Sequence, residues 1–413
     1  EGGANEEDAG LALLDWCLRE ELGRHCAPAR LRLERVTFDG TPGGVLERLA
    51  KYEAVHRVRS LEELKRRLGP HGRRCYALFH PHAPLEPLVF VYAALLPTMP
   101  GSMAELRDRR WETAGAEAGA RAACFYSISA SQPGLAGVGE LGNQLIKRVS
   151  ALLQQDHPSL DIFCTLSPIP GFRTWLDPML ENWTQEGGGP GEGGFAVFSD
   201  TELFHLMNFH SGLDMGRDNG IQSYKERVFA LNDSRLLKST IQSDDWCGDE
   251  ECKAALKPIL MGLCTKYLLE AKGTKESKIK DPVGNFHIQN GAQMARLNWN
   301  ADPSLNGIEK SAGIMINYQY FPTRTFQSAL NYASTGSFNV STFFRKAAFP
   351  STIMQSSTKI ASSSSSSLGG GSENKKDNGD KDDDAAYYII SPKNAALADG
   401  AIPSQNKNVA SKL

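Results

Sequence analysis

A serine stands where an apolar run ends. Asp161-Ile162-Phe163-Cys164-Thr165 reads as a buried strand, and Leu166-Ser167-Pro168-Ile169-Pro170-Gly171-Phe172 follows it. Two prolines and a glycine forbid both strand and helix, so the backbone after Ser167 must turn in a fixed shape. A rigid turn at the C-terminal end of a strand is where open α/β sheets put their ligands. Such a serine either caps and shapes the turn or offers its hydroxyl to a substrate. No Gly-x-Ser-x-Gly elbow occurs in the chain, so serine-hydrolase chemistry lacks support.

Two further stretches carry chemistry. Between an expected strand and helix lies Gly134-Leu135-Ala136-Gly137-Val138-Gly139-Glu140-Leu141-Gly142-Asn143. Glycines let the backbone approach a ligand closely, and exposed amides at a helix start attract phosphate. No Gly-Lys-Ser/Thr follows, so this is not a P-loop. A dinucleotide fingerprint fits poorly too, because the chain before it supplies an antiparallel hairpin. A strand, a glycine-spaced bend and a helix behind such a hairpin suit acyltransferases that grip a pyrophosphate; a plain tight turn is the other reading. The third stretch is Asn285-Phe286-His287-Ile288-Gln289-Asn290-Gly291-Ala292. His287 has no histidine or carboxylate three or four residues on, which argues against a metal site. It is a satisfied core residue or a catalyst. A position near a helix start would favour a neutral ring able to donate a hydrogen bond. Arg296, further along the same expected helix, is an anion binder or a surface residue. His80 and His82 read as solvated turn residues.

The elements that must position these groups follow from periodicity. Asn5 to Cys26 reads as an amphipathic helix with Leu11, Leu14, Cys17 and Leu18 on one face. Leu31 to Phe38 alternates like a half-buried strand, and Leu46 to Leu68 is helical in period, with Glu62 and Arg66 spaced to pair. Arg74 to Phe79 and Leu88 to Leu96 are strands joined by a turn-rich segment, a hairpin. Arg121 to Ser131 is a strand, about Glu140 to Gln155 a helix, and the run ending at Thr165 returns parallel to the first. Cys252 to Lys272 and Pro282 to Ala301 read as helices, the second capped by Asp281 with Pro282 in its first turn. Ser311 to Phe321 reads as a strand. Gly187 to Gly194 reads as a flexible insertion. Ser356 to Asp384 is serine-rich, then glycine-rich, then a Lys/Asp run, and is expected to be disordered.

With 413 residues, 41% of them hydrophobic, the chain can bury a large core. A net charge of −3 makes nucleic acid a poor partner, and no apolar run reaches the length of a membrane span. The eight cysteines form no CxxC pair, so they read as mostly reduced structural thiols. Ser411-Lys412-Leu413 at the C-terminus has the form of a peroxisomal address read by an import receptor.

These segments together resemble the malonyl-CoA decarboxylase family. The resemblance rests on Leu33-Glu34-Arg35-Val36-Thr37, Glu53-Ala54-Val55-His56, Arg73-Arg74-Cys75-Tyr76, Phe125-Tyr126-Ser127-Ile128-Ser129, Leu145-Ile146-Lys147-Arg148-Val149, the Ser167 and His287 stretches, Ala312-Gly313-Ile314-Met315, Asn317-Tyr318-Gln319-Tyr320-Phe321 and the terminal tripeptide. It implies an α/β fold of the N-acetyltransferase-like (GNAT) kind, a mixed sheet flanked by helices. Residues 1–26 would be the end of an N-terminal helical domain and 27–355 the catalytic domain. Residues 356–385 would be a low-complexity insertion and 386–413 a C-terminal segment. Malonyl-CoA would be the substrate, bound by Ala136, Gly137, Val138, Gly139, Glu140, Leu141, Gly142 and Asn143. Ser167 and His287 would be catalytic, with no metal and no cofactor. The implied setting is fatty-acid metabolism by a homo-oligomer in the peroxisome, with mitochondrial or cytoplasmic pools left open. An N-acyltransferase of the same fold and a non-catalytic CoA-binding regulator are the alternatives.

Overall fold

The structure, a computed structural model, describes residues 6–132, 134–135, 141–185, 238, 240–269, 278–348, 359–360 and 387–390. It divides into two compact units, 1–167 with 317–325, and 168–316 with 326–413.

The first unit is built on an antiparallel run that ends in a parallel pair. Strands β1 (Arg32–Val36), β2 (Arg73–His80), β3 (Ala83–Leu96) and β4 (Ala122–Ala130) are antiparallel neighbours in that order. β4 then pairs parallel with β5 (Ile162–Thr165), as the crossover read from the sequence requires, and β5 pairs antiparallel with the end of β8 (Met315–Tyr320). β2 and β4 are buried along almost their whole length and β3 from Val89 to Leu96, which is why these stretches read as continuous apolar runs. The crossover helix α6 (Leu141–Asp156) buries Leu145, Ile146, Val149 and Leu153, the 3.6-residue stripe of its sequence.

Helix α1 (Glu6–His25) forms where expected, but its apolar stripe stays exposed, Leu11 at 64%, Leu14 at 54% and Leu18 at 53%. The single helix expected over Leu46 to Leu68 is two, α2 (Gly43–Tyr52) and α3 (Leu61–Arg67), the second started by the Ser60 hydroxyl accepting from the Glu63 amide. The reason lies in Glu53, whose carboxylate turns inward and takes the next backbone amides out of the helix ladder. Arg66 does not pair with Glu62. Its Nε donates to both oxygens of Glu112 at 2.9 and 3.0 Å, and Arg73 joins the same carboxylate at 3.0 Å. This part-buried network ties α3 to β2 and to the segment holding short helices α4 (Met103–Leu106) and α5 (Ala114–Ala118).

The second unit carries α7 (Phe172–Gln185), α8 (Glu250–Leu269), α9 (Pro282–Gln289), α10 (Leu305–Ser311), α11 (Thr325–Thr335) and α12 (Thr342–Ala348). Its strands run β7 (Gln293–Asn298), β9 (Phe338–Ser341), β11 (Tyr387–Ile390) and β10 (Lys359–Ile360), with β7 and β9 parallel and the rest antiparallel. The two-residue β6 (Ser167–Pro168) lies at the junction in sequence.

Three expectations change here. The helix read over Pro282 to Ala301 ends at Gln289, because Gly291 takes a positive φ of 80° and turns the chain into β7, so Arg296 lies on a strand. The strand read over Ser311 to Phe321 begins only at Met315; Ser311 closes α10, and left-handed Ala312 and Gly313 make the turn. Lys359–Ile360, within the stretch expected to be disordered, forms a strand with β11. The Gly187 to Gly194 insertion and Ser411-Lys412-Leu413 lie outside the described residues.

None of the eight cysteines is in a disulfide, and six are buried. Burial pushes the Cys75, Cys124 and Cys264 thiols well up, as structural thiols require. Among the described residues no group of His, Cys, Asp or Glu is arranged to hold a metal ion. No described helix is long and apolar enough to cross a membrane.

Candidate active site

Ser167 follows β5 after one residue, Leu166, and opens the short strand β6; its hydroxyl is set by its neighbours. Its Oγ donates to Thr165 Oγ1 at 2.9 Å, and the serine is 6% exposed. Thr165 is itself held: its Oγ1 accepts from the Tyr318 amide at 3.3 Å and its carbonyl from Asn317 Nδ2 at 2.8 Å. Asn317 also donates to the Pro100 carbonyl at 3.0 Å. Thr165 was not singled out from the sequence, although strand alternation puts residues two apart on one face.

The pairing of β4 with β5 is short. The β4–β5 ladder runs from Ala122 opposite Ile162 to Phe125 opposite Thr165 and stops, while β4 continues to Ala130. Among the described residues, β4 from Tyr126 onward has β3 alone as a sheet neighbour. A β-bulge marks the same point: Ala93 faces Phe125 and Tyr92 faces Ser127, which leaves Tyr126 as the extra residue.

A buried carboxylate holds that bulge. Glu53 accepts from Ser127 Oγ at 2.7 and 2.8 Å, from the Val55 amide at 2.9 Å and from the His56 amide at 2.7 Å. The Ala54 amide donates to Ser129 Oγ at 3.2 Å, and Arg67 donates to the His56 carbonyl at 2.6 Å. Arg67 also lies 5.5 Å from the centre of the Tyr92 ring. Sequence reasoning gave Glu53, Ser127 and Ser129 no role, because the bond that joins them spans 74 residues.

Of the expected substrate-binding loop, Leu141, Gly142 and Asn143 open α6, with Leu141 and Asn143 buried. Ala136, Gly137, Val138, Gly139 and Glu140 lie outside the described residues.

His287 belongs to the second unit. It sits in the last turn of α9, not near its start, so the helix dipole cannot be what keeps its ring neutral. Desolvation does so instead: the ring is buried, and its pKa is pushed down to about 3. The cap expected at Asp281 is present, with Oδ1 accepting from the Gly284 amide at 2.6 Å.

The family model of the malonyl-CoA decarboxylase C-terminal domain matches residues 29–188 and 200–361. The chain belongs to this family. The mitochondrial malonyl-CoA decarboxylase of Anser anser anser is 38% identical over 323 residues, 77% of this chain and 58% of the relative. That of Mus musculus is 36% identical over 319 residues, 76% of this chain and again 58% of the relative. The chain thus spans 58% of the length of these curated relatives. The crystal structure of malonyl-CoA decarboxylase from Rhodopseudomonas palustris superposes with a TM-score of 0.64 at 31% identity, covering 82% of this chain and 67% of that one. The mixed sheet flanked by helices is therefore the decarboxylase family's architecture.

Proposed function

We propose that this chain converts malonyl-CoA to acetyl-CoA and carbon dioxide through a thioester enolate. The observation that carries the reading is family membership across residues 29–188 and 200–361, stretches that contain Ser167 and His287. The bond between the α-carbon and the carboxylate breaks, its electron pair moves into the adjacent thioester carbonyl, and carbon dioxide leaves. A proton then adds to the α-carbon. The thioester is its own electron sink, so the chemistry asks for no added cofactor.

The protein has three duties. It must hold the carboxylate perpendicular to the thioester plane. It must aim a donor at the oxygen where charge builds, which lowers the barrier by about 3 kcal/mol for one good donor. It must also allow a proton to reach carbon. Ser167 orients the carboxylate or relays the proton. The neutral His287 ring suits donation to the thioester oxygen better than delivery of a proton from an imidazolium. Residues 136–143 hold the pyrophosphate at the start of α6. The edge of β4 beyond Phe125 offers backbone groups to the amides of the pantetheine arm. Ser411-Lys412-Leu413 addresses the chain to a peroxisomal import receptor, and the mitochondrial relatives suggest a mitochondrial pool as well. Its setting is fatty-acid metabolism and its working form a homo-oligomer.

The test is incubation with carboxyl-labelled malonyl-CoA. Release of labelled carbon dioxide is expected. Amine-dependent release of CoA without carbon dioxide would point to an acyltransferase instead, and saturable binding without turnover to a regulator.

A further inference from the structure

The turn after Ser167 and the helix that carries His287 meet at one tyrosine. Tyr267, in the last turn of α8, donates its hydroxyl to Asp281 Oδ2 at 3.0 Å. Asp281 is fully buried, and its other oxygen takes the Gly284 amide that starts α9. The Tyr267 ring packs against both Phe172 and Trp175 at the start of α7, with centroids 6.1 and 5.6 Å away. Gly171 ends the proline turn, four residues beyond Ser167. A Cβ placed there would stand 2.1 Å from the Tyr267 hydroxyl oxygen and 3.1 Å from the ring carbon that bears it. The missing side chain of Gly171 is therefore what lets the hydroxyl reach Asp281.

Capping alone does not account for this arrangement. A helix cap needs one acceptor oxygen, and serine or threonine supplies it at less cost than a buried carboxylate. The second oxygen is spent on Tyr267, and Tyr267 is spent on the turn. One phenol thus touches both the turn that follows Ser167 in the chain and the residue that starts α9.

We propose that Tyr267 and Asp281 are positioning residues that set the proline turn against α9, and hence fix the helix on which His287 is carried. The inference rests on the decarboxylase reading. Its consequence is a dependence of turnover, rather than of substrate affinity, on a hydroxyl that is never in contact with substrate.

The experiment compares the full chain with its Tyr267→Phe, Asp281→Ser, Tyr267→Phe/Asp281→Ser, Gly171→Ala and Gly171→Ala/Tyr267→Phe variants. Asp281→Ser keeps a helix cap and loses the bond to Tyr267. Kinetics on malonyl-CoA should show kcat reduced roughly ten- to a hundredfold in Tyr267→Phe and Asp281→Ser, with KM little changed. The two changes combined should cost no more than either alone, since they break one bond. Gly171→Ala should be impaired further and be restored by Tyr267→Phe toward the level of that single variant. Ring carbon NMR, with the His287 signal assigned by its loss in His287→Gln, should show that signal displaced in both single variants. An unmoved His287 signal, or parental kcat in Asp281→Ser, overturns the proposal. Should the parental chain release no carbon dioxide, the decarboxylase reading fails on that result, while the NMR comparison still decides whether the tyrosine sets α9.

Discussion

Replacing Glu53 by alanine should destabilise the first unit more than almost any other polar substitution. Its carboxylate accepts from one buried hydroxyl and two backbone amides. A buried donor stripped of its partner costs about 1–3 kcal/mol. Ser127 is 2% exposed and bears that in full, whereas Val55 and His56 are half-buried and recover part of it from water. The sum is about 3–5 kcal/mol for Glu53→Ala. Glu53→Gln keeps one oxygen for the two amides, and Ser127 can turn from donor to acceptor, so its cost is about 1 kcal/mol. Urea unfolding followed by tryptophan fluorescence measures both, and the midpoint at constant slope gives the difference. Turnover should fall with Glu53→Ala as well, because the β4 bulge at Tyr126 loses its anchor. The reasoning is refuted if the alanine and glutamine variants unfold at the same urea concentration.

Other outcomes follow from single sites. Ser167→Ala should lower kcat by about a hundredfold or more, and Thr165→Val, which removes the partner of the serine proton, should lower it by a smaller factor; steady-state kinetics check both. Burial holds the His287 ring neutral down to about pH 3, while the unfolded chain protonates it near 6.5. The unfolded state therefore binds more protons below that point, and stability should fall by about 1.4 kcal/mol per pH unit as pH drops through 6. Asp281, whose carboxyl burial pushes up, works in the opposite sense, and Glu63, Glu112 and Glu117, pulled down by their arginine partners, add their losses only at more acid pH. Comparing denaturation between pH 5 and 6.5 with that of His287→Gln isolates the histidine slope, which should vanish in the variant. Gly72→Ala puts a Cβ 2.1 Å from the Trp111 carbonyl oxygen at a φ of +66°, and should cost about 1–3 kcal/mol or more in the same unfolding assay.

What the sequence made legible was local. The β2–β3 hairpin, the β4–α6–β5 crossover and the Asp281 cap are written in alternation, helical period and capping chemistry within a few residues. The serine turn is legible only in part: Pro170 and Gly171 turn the chain into α7, but Ser167–Pro168 form the short strand β6, against the expectation that the prolines exclude strand. Errors arose where a distant partner decided. The periodicity from Leu46 to Leu68 is real, yet Glu53 is claimed by Ser127 across the sheet, and the helix breaks. The pattern over residues 285–292 resembles a helix start, yet positive-φ Gly291 makes it a helix end, and burial rather than the helix dipole keeps the His287 ring neutral. Thr165, Tyr267 and Glu53 carry no local signature. Their roles exist only as contacts made by the fold.

The most direct measurement of the central claim is a turnover of carboxyl-labelled malonyl-CoA in deuterated water. An enolate that is protonated at carbon predicts one labelled carbon dioxide for each acetyl-CoA formed, and a single deuterium in the new methyl group. Free CoA appearing without carbon dioxide, or acetyl-CoA carrying no deuterium, would contradict it.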